Sequence, residues 1–333
     1  MSGVDLRPDR STLRRRWRSL AIIAAASTAI VFVTLAVPDI YHSIARRAEE
    51  PMQIPAALAQ PTVVAGAPGG PASPASRSEP IPAGFPDEST TGVPDETLLT
   101  PYTGPMRITQ NETVIENKII VGSLWIRADN VVLRNCRLNY TAWWGIDAEG
   151  AKNITVENCE IVGPGYGGDS NAAILGSGNF LRNNISRSEN GIVLQGGASL
   201  VKGNYIHNLE DKSADPHYDG ISVQGGQDGV LIEGNTVIAR DTSNIFIKND
   251  FGPISNVTVN NNYLAGTPGI NIYVDGRASG GPIVGVSITN NHLVKGGYGY
   301  YSVDNSTPTI SGNIELPGET LITQPDPATP AQP

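Results

Sequence analysis

The chain has 333 residues, with 23 Lys and Arg against 32 Asp and Glu, two Cys, 37 Gly and 25 Pro, and a formal net charge of −9. Charge is unevenly placed: six Arg and two Asp lie in the first 18 residues, whereas residues 91–315 hold 14 basic and 22 acidic side chains. Such an acidic body argues against a nucleic-acid binder, which needs a basic face to neutralise phosphates. A hydrophobic content of 39% excludes both a wholly disordered chain and a multi-span membrane protein.

Residues 1–18 read as a basic cytoplasmic tail. Residues 19–37, Ser19 to Val37, contain no charge and match the roughly 20 residues a helix needs to span a bilayer. The Arg cluster before them sets the orientation expected of an N-terminal transmembrane helix, with everything later outside the cytoplasm. A cleaved signal peptide is the rival reading, but the nearest small-residue site, Ala57-Leu58-Ala59, lies well downstream of the apolar run. Residues 38–91 are a Pro/Ala/Gly-rich linker and residues 317–333 a similar tail, both too poor in periodic apolar residues to offset chain entropy. One folded unit is left, residues 92–316, and the segment from Thr97 to Gln110 is expected to cap its N-terminal end.

Within it a pattern recurs as VVLRNCRL, ITVENCEI, FLRNNI, LVKGNYI, LIEGNTV, VTVNNNYL, VSITNNHL and TISGNI. Alignment places Cys136, Cys159, Asn184, Asn204, Asn235, Asn262, Asn291 and Asn313 in one column, spaced 20 to 31 residues apart. That period marks a solenoid and is too short for four-stranded propeller blades. A second strand follows in each repeat at Gly145, Gly191, Gly220, Asn244 and Asn271. Short strands separated by Gly and Asn corners describe an all-β parallel β-helix, in which an inward Asn per turn bonds its neighbours along a ladder and Val, Ile and Leu fill the core. Cys136 and Cys159, in adjacent turns, are placed either for a disulfide or as stacked thiols. A zinc site is not expected from two Cys without CxxC spacing.

These repeats, from Thr113 to Ile314, resemble the right-handed parallel β-helix superfamily of pectate-lyase-like proteins, which includes polysaccharide lyases, polygalacturonases and alginate epimerases. The resemblance implies a single-stranded right-handed coil acting on polysaccharide. The characteristic pectate-lyase signatures and the adjacent Asp pair of polygalacturonases are not found.

On the second strand of each repeat, alternation turns Val193, Ser222, Phe246, Tyr273 and Ser302 outward, flanked by the polar column Glu149, Gln195, Gln224, Lys248, Asp275 and Asp304. Stacked aromatic and polar side chains on an exposed sheet form a trough for an extended glycan. The segment Ala214 to Ser222 carries His217 and Asp219 in the longest repeat. Lys248 and Arg277 follow one and two turns later. A β-eliminating lyase needs a base for the sugar C5 proton and a cation on the neighbouring carboxylate. Lys248, Asp219, His217 and Arg277 are therefore the expected catalytic residues, with Asp275, Tyr273, Gln224 and Trp143 binding substrate. An ion pair between Lys248 and Asp275 is the structural alternative. Lyase-type cleavage of an acidic glycan is the leading expectation; a hydrolase on the same scaffold, or a non-catalytic glycan-binding surface protein, are its alternatives. No metal site is assigned and the cofactor is unknown, although Asp215, Asp219, Asp250 and Asp275 carry the hard oxygens Ca2+ would need.

Overall fold

The computed structural model describes residues 81–165, 171–212 and 216–318. The chain divides into two units, residues 1–71 and 72–333, and every described residue belongs to the second. No helix among the described residues is long and apolar enough to cross a membrane. The expected span at 19–37 and most of the tail at 317–333 lie outside them.

The described residues contain 28 strands in three parallel sheets of ten, nine and nine. Sheet A runs from Thr100–Pro101 to Ile314–Leu316, sheet B from Arg107–Ile108 to Gly299–Asp304, and sheet C from Val114–Glu116 to Thr309–Ser311. The chain visits A, B and C in turn, so each strand pairs only with its counterparts one turn before and after. The segment expected as a cap packs Tyr102, Met106 and Ile108 on the end of the core. Thr97 to Gln110 also supplies the first strands of sheets A and B, pairing with Lys118–Val121 and Leu124–Ile126.

Three aliphatic columns fill the interior. Leu138, Ile161, Ile185, Ile206, Val237, Leu264 and Leu293 come from sheet A, and Ile146, Ile174, Ile192, Ile221, Ile245 and Ile272 from sheet B. Sheet C adds Leu133, Val156, Phe180, Val201, Ile232, Val259 and Ile288, and all of these are buried. Each such side chain contributes about 1.5–3 kcal/mol of burial, set against the entropy of ordering its coil.

The corner between sheets C and A explains the Asn-rich repeat. Asn135, Asn158, Arg182, Gly203, Gly234, Asn261, Asn290 and Gly312 all have φ between 50° and 68°, a left-handed step that Gly and Asn take at least cost. The next residue then points inward. In the later turns it is Asn, giving a ladder of Asn183, Asn204, Asn235, Asn262, Asn291 and Asn313. Each Oδ1 accepts the backbone N–H and, from Asn204 onward, the side-chain amide of the ladder residue one turn earlier. Each amide also donates to a sheet C carbonyl, as Asn235 does to Val201 at 2.9 Å.

This corrects one position. The ladder residue in FLRNNI is Asn183, whose Oδ1 accepts Cys159 N–H, and Asn184 faces outward to bond His207. The corner there is Arg182, whose guanidinium bonds Asn158 and Glu157 and offsets the strain of its left-handed backbone. Cys136 and Cys159 begin the column as buried free thiols rather than a disulfide. Their sulfurs lie 3.1 and 3.2 Å from the Arg134 and Glu157 carbonyls, and burial pushes the Cys159 thiol well above its usual pKa.

Residues 81–98 run along the outer face of sheet A. Phe85 packs on Tyr263 and His292, with ring centroids 5.6 and 4.9 Å apart, and Gly92 N–H donates to Arg182 O at 2.9 Å. The last residues of the expected linker, 81–91, thus lie against the coil.

Candidate functional site

Sheet B has two different outer faces along its length. Leu175 and Val193 point away from the core yet are each 3% exposed, joining Ala172 and Trp144 in a small apolar cluster separate from the main one. Ser222, next in the column, is also buried, whereas Phe246, Tyr273 and Ser302 are partly exposed. The accessible face is therefore shorter than the trough the sequence led us to expect. Trp143 lies beside Trp144, with ring centroids 6.3 Å apart, at the early end of the apolar cluster and away from the open part. Gln224 is tied to Gln195, whose amide donates to its Oε1 at 2.8 Å.

The side chains that come together lie where the sheet opens. Asp219 begins the strand Asp219–Val223, its N–H donating to Asn190 Oδ1 and its Oδ1 accepting the Ser243 hydroxyl. Gly220 must follow it, because a Cβ there would collide with Val237 and with the Asn244 carbonyl. The Asp219 carboxyl is 6% exposed, and burial raises its pKa to about 6. The Ser243 hydrogen bond and the charges of His217 and Lys248 act in the opposite direction, and the negative charge of Glu189 reinforces the rise. Tyr273 is raised as well, first by burial and then by the neighbouring Asp219 charge.

Glu189 was missed by sequence reasoning. It is fully buried, and its carboxylate accepts His217 N–H at 2.7 Å and the Asn171 N–H and side-chain amide at 3.1 and 3.3 Å. It thereby pins the segment carrying His217 to the turns below. The available signal was a charged residue directly before the Asn190-Gly191 corner, where an apolar strand begins. The anchored segment also holds Tyr218, whose hydroxyl donates to Asp211 O and accepts from Arg240.

Lys248 and Arg277 occupy separate ion pairs. Lys248 Nζ lies 3.1 Å from Asp250 Oδ1 and 5.9 Å from the centre of the Phe246 ring. Lys248 and Asp275 are strand neighbours in register, as expected, but Asp275 is taken by Arg277. That guanidinium grips both carboxylate oxygens at 2.8 Å and reaches Asp304 at 3.8 Å. Hydrogen bonding from Arg277 holds the Asp275 carboxyl below its usual pKa. His217, Asp219, Lys248 and Tyr273 are linked electrostatically, and Lys248 also acts on Asp275, which Arg277 holds together with Asp304 further along the coil.

Among the described residues no group of three or more His, Cys, Asp or Glu side chains is arranged to hold a metal. Asp215 lies outside them, Asp275 is committed to Arg277 and Asp250 to Lys248. Asp219, Asp250 and Asp275, the described members of the Ca2+ set drawn from the sequence, are not gathered around one point.

No curated protein and no solved structure matched the chain. Residues 170–314 match the family model described as the right handed beta helix region. The three parallel sheets visited in fixed order make the repeated part of this chain a parallel β-helix, and residues 170–314 of it are similar to the right-handed type.

Proposed function

We propose that the chain binds an extended polysaccharide along the open part of sheet B and cleaves it by acid–base chemistry centred on Asp219, outside the membrane that residues 19–37 span. The observation that carries this reading is a buried carboxyl, its pKa raised to about 6, that acts electrostatically on the partly exposed Tyr273. A group titrating there holds a proton for a leaving glycosidic oxygen and releases it near neutral pH, as general acid catalysis requires. The aromatic faces pack on sugar C–H groups, and Gln224, Lys248 and Asp275 offer hydrogen bonds to hydroxyls.

Hydrolysis fits better than β-elimination. A lyase needs a free base and a free cation, and the Lys248 ammonium is committed to Asp250 and Arg277 to Asp275. Hydrolysis draws its acid from a carboxyl that holds a proton towards neutral pH, which the raised Asp219 supplies without a free cation. Incubating the full-length chain with a glycan panel tests this. New reducing ends without ultraviolet-absorbing products, abolished by Asp219→Asn, are expected. Unsaturated absorbing products would favour elimination, and binding without turnover would make the chain a glycan-binding surface protein.

A further inference from the structure

We infer that the glycan taken by this face carries no acidic groups; the inference rests on the proposed function above. Around the open part of sheet B, the described residues place four carboxylates, Asp219, Asp250, Asp275 and Asp304, against two cations, Lys248 and Arg277. Both cations are engaged. A uronate or sulfate that displaced Asp275 from Arg277 would leave that carboxylate, whose side chain is only 9% exposed, with the Arg277 backbone N–H alone. Taking Lys248 would cost less, because the Asp250 side chain is 32% exposed and water can replace the pair. If the acidic sugar left both pairs intact, it would enter a face with excess negative charge, on a chain whose net charge is −9.

The rest of the surface suits uncharged sugars. The Gln195–Gln224 amide pair, the Ser302 hydroxyl and the Tyr273 and Phe246 rings recognise hydroxyls and C–H faces without compensating a charge. The ion pairs add to this, since a charged group fixed by its partner still accepts or donates to a neutral hydroxyl through its remaining sites. The sequence led us to expect an acidic substrate because Lys248 and Arg277 were counted as free cations.

Binding of the full-length chain to a neutral β-glucan and mannan, and to polygalacturonate, tests the inference at about 20 and 150 mM salt. The neutral polymers should bind at least about tenfold more tightly, with the gap narrowing as salt screens the face. Asp304→Lys should raise the ratio of polygalacturonate to neutral-polymer binding at least about threefold, whereas Asp228→Lys on sheet C should leave that ratio unchanged. Polygalacturonate binding as tightly as the neutral polymers, or tighter, would overturn the inference and leave the glycan-binding reading standing. If no polymer binds at all, both fall.

Discussion

Removing one rung of the Asn ladder should destabilise the coil far more than its hydrogen-bond count alone implies. In Asn235→Ala, Asn204 loses the acceptor for its backbone N–H and one acceptor for its side-chain amide, both at 2.9 Å. Val201 O and Asn262 Oδ1 each lose an amide donor, also at 2.9 Å. Asn204, Asn235 and Asn262 are fully buried. A buried donor left without a partner costs about 1–3 kcal/mol, and each further lost bond about 1 kcal/mol. The expected loss is therefore about 4–6 kcal/mol, less whatever a water entering the space recovers. Asn179→Ala, on an exposed Asn bonded only to Thr155 at 3.3 Å, should stay within about 0.5 kcal/mol. Urea unfolding followed by circular dichroism compares the two, with a check that each transition remains cooperative in a repeat array. If Asn235→Ala shifts the midpoint no more than Asn179→Ala, the ladder is not what holds adjacent turns in register.

Two titrations should oppose each other in the wild-type chain. Asp219, raised to about 6, gives stability that is full below its unfolded value of 3.8 and lost as pH rises through 6, so Asp219→Asn should be more stable at pH 7.5, by up to about 3 kcal/mol, and unchanged at pH 3.5. His207 is lowered to about 4 by burial; its contribution is full above 6.5 and lost as pH falls through 4, so His207→Asn should flatten the acid limb of thermal melts between those values. Phe85→Ala, which removes the ring from Tyr263 and His292, should speed proteolysis within residues 81–98 at least about tenfold while far-ultraviolet circular dichroism is unchanged. Glu189→Gln, which weakens the acceptors for His217 and Asn171, should lower turnover on any cleaved glycan with a smaller effect on binding, and Glu189→Ala should lower both.

The coil was legible because its rule is local and repeats. Apolar alternation, a Gly or Asn corner and an inward Asn recur in every later turn, and each instance supports the others. The slip at Asn184 shows where this ends. In Asn183-Asn184-Ile185 either Asn can be the rung, and only the requirement that the residue two positions later be the buried aliphatic one, as with Cys136 and Leu138 or Cys159 and Ile161, selects Asn183. The site was less legible. Strand register placed Lys248 beside Asp275 correctly, but pairing depends on which carboxylate the backbone brings round. Asp250 and Arg277 lie only two residues beyond the strand positions they bind, and such turns leave no periodic trace in the sequence.

The position of Asp219 follows from the scaffold more than from its neighbours. Its strand is buried on both faces, and the turns before it carry Leu175 and Val193 outward, so the carboxyl enters an environment already poor in water. Gly220 allows the close approach to Val237 and Asn244 that seats it there, and Glu189, fixed by three N–H donors, adds a second negative charge. One turn later the outer face opens at Phe246. A carboxyl at that boundary is desolvated enough to have its pKa raised to about 6, which is what the proposed acid role asks of it. Fully exposed, it would hold its proton only below about pH 4. The transition between a closed and an open outer face, more than any single residue, is what makes this part of the coil chemically distinct.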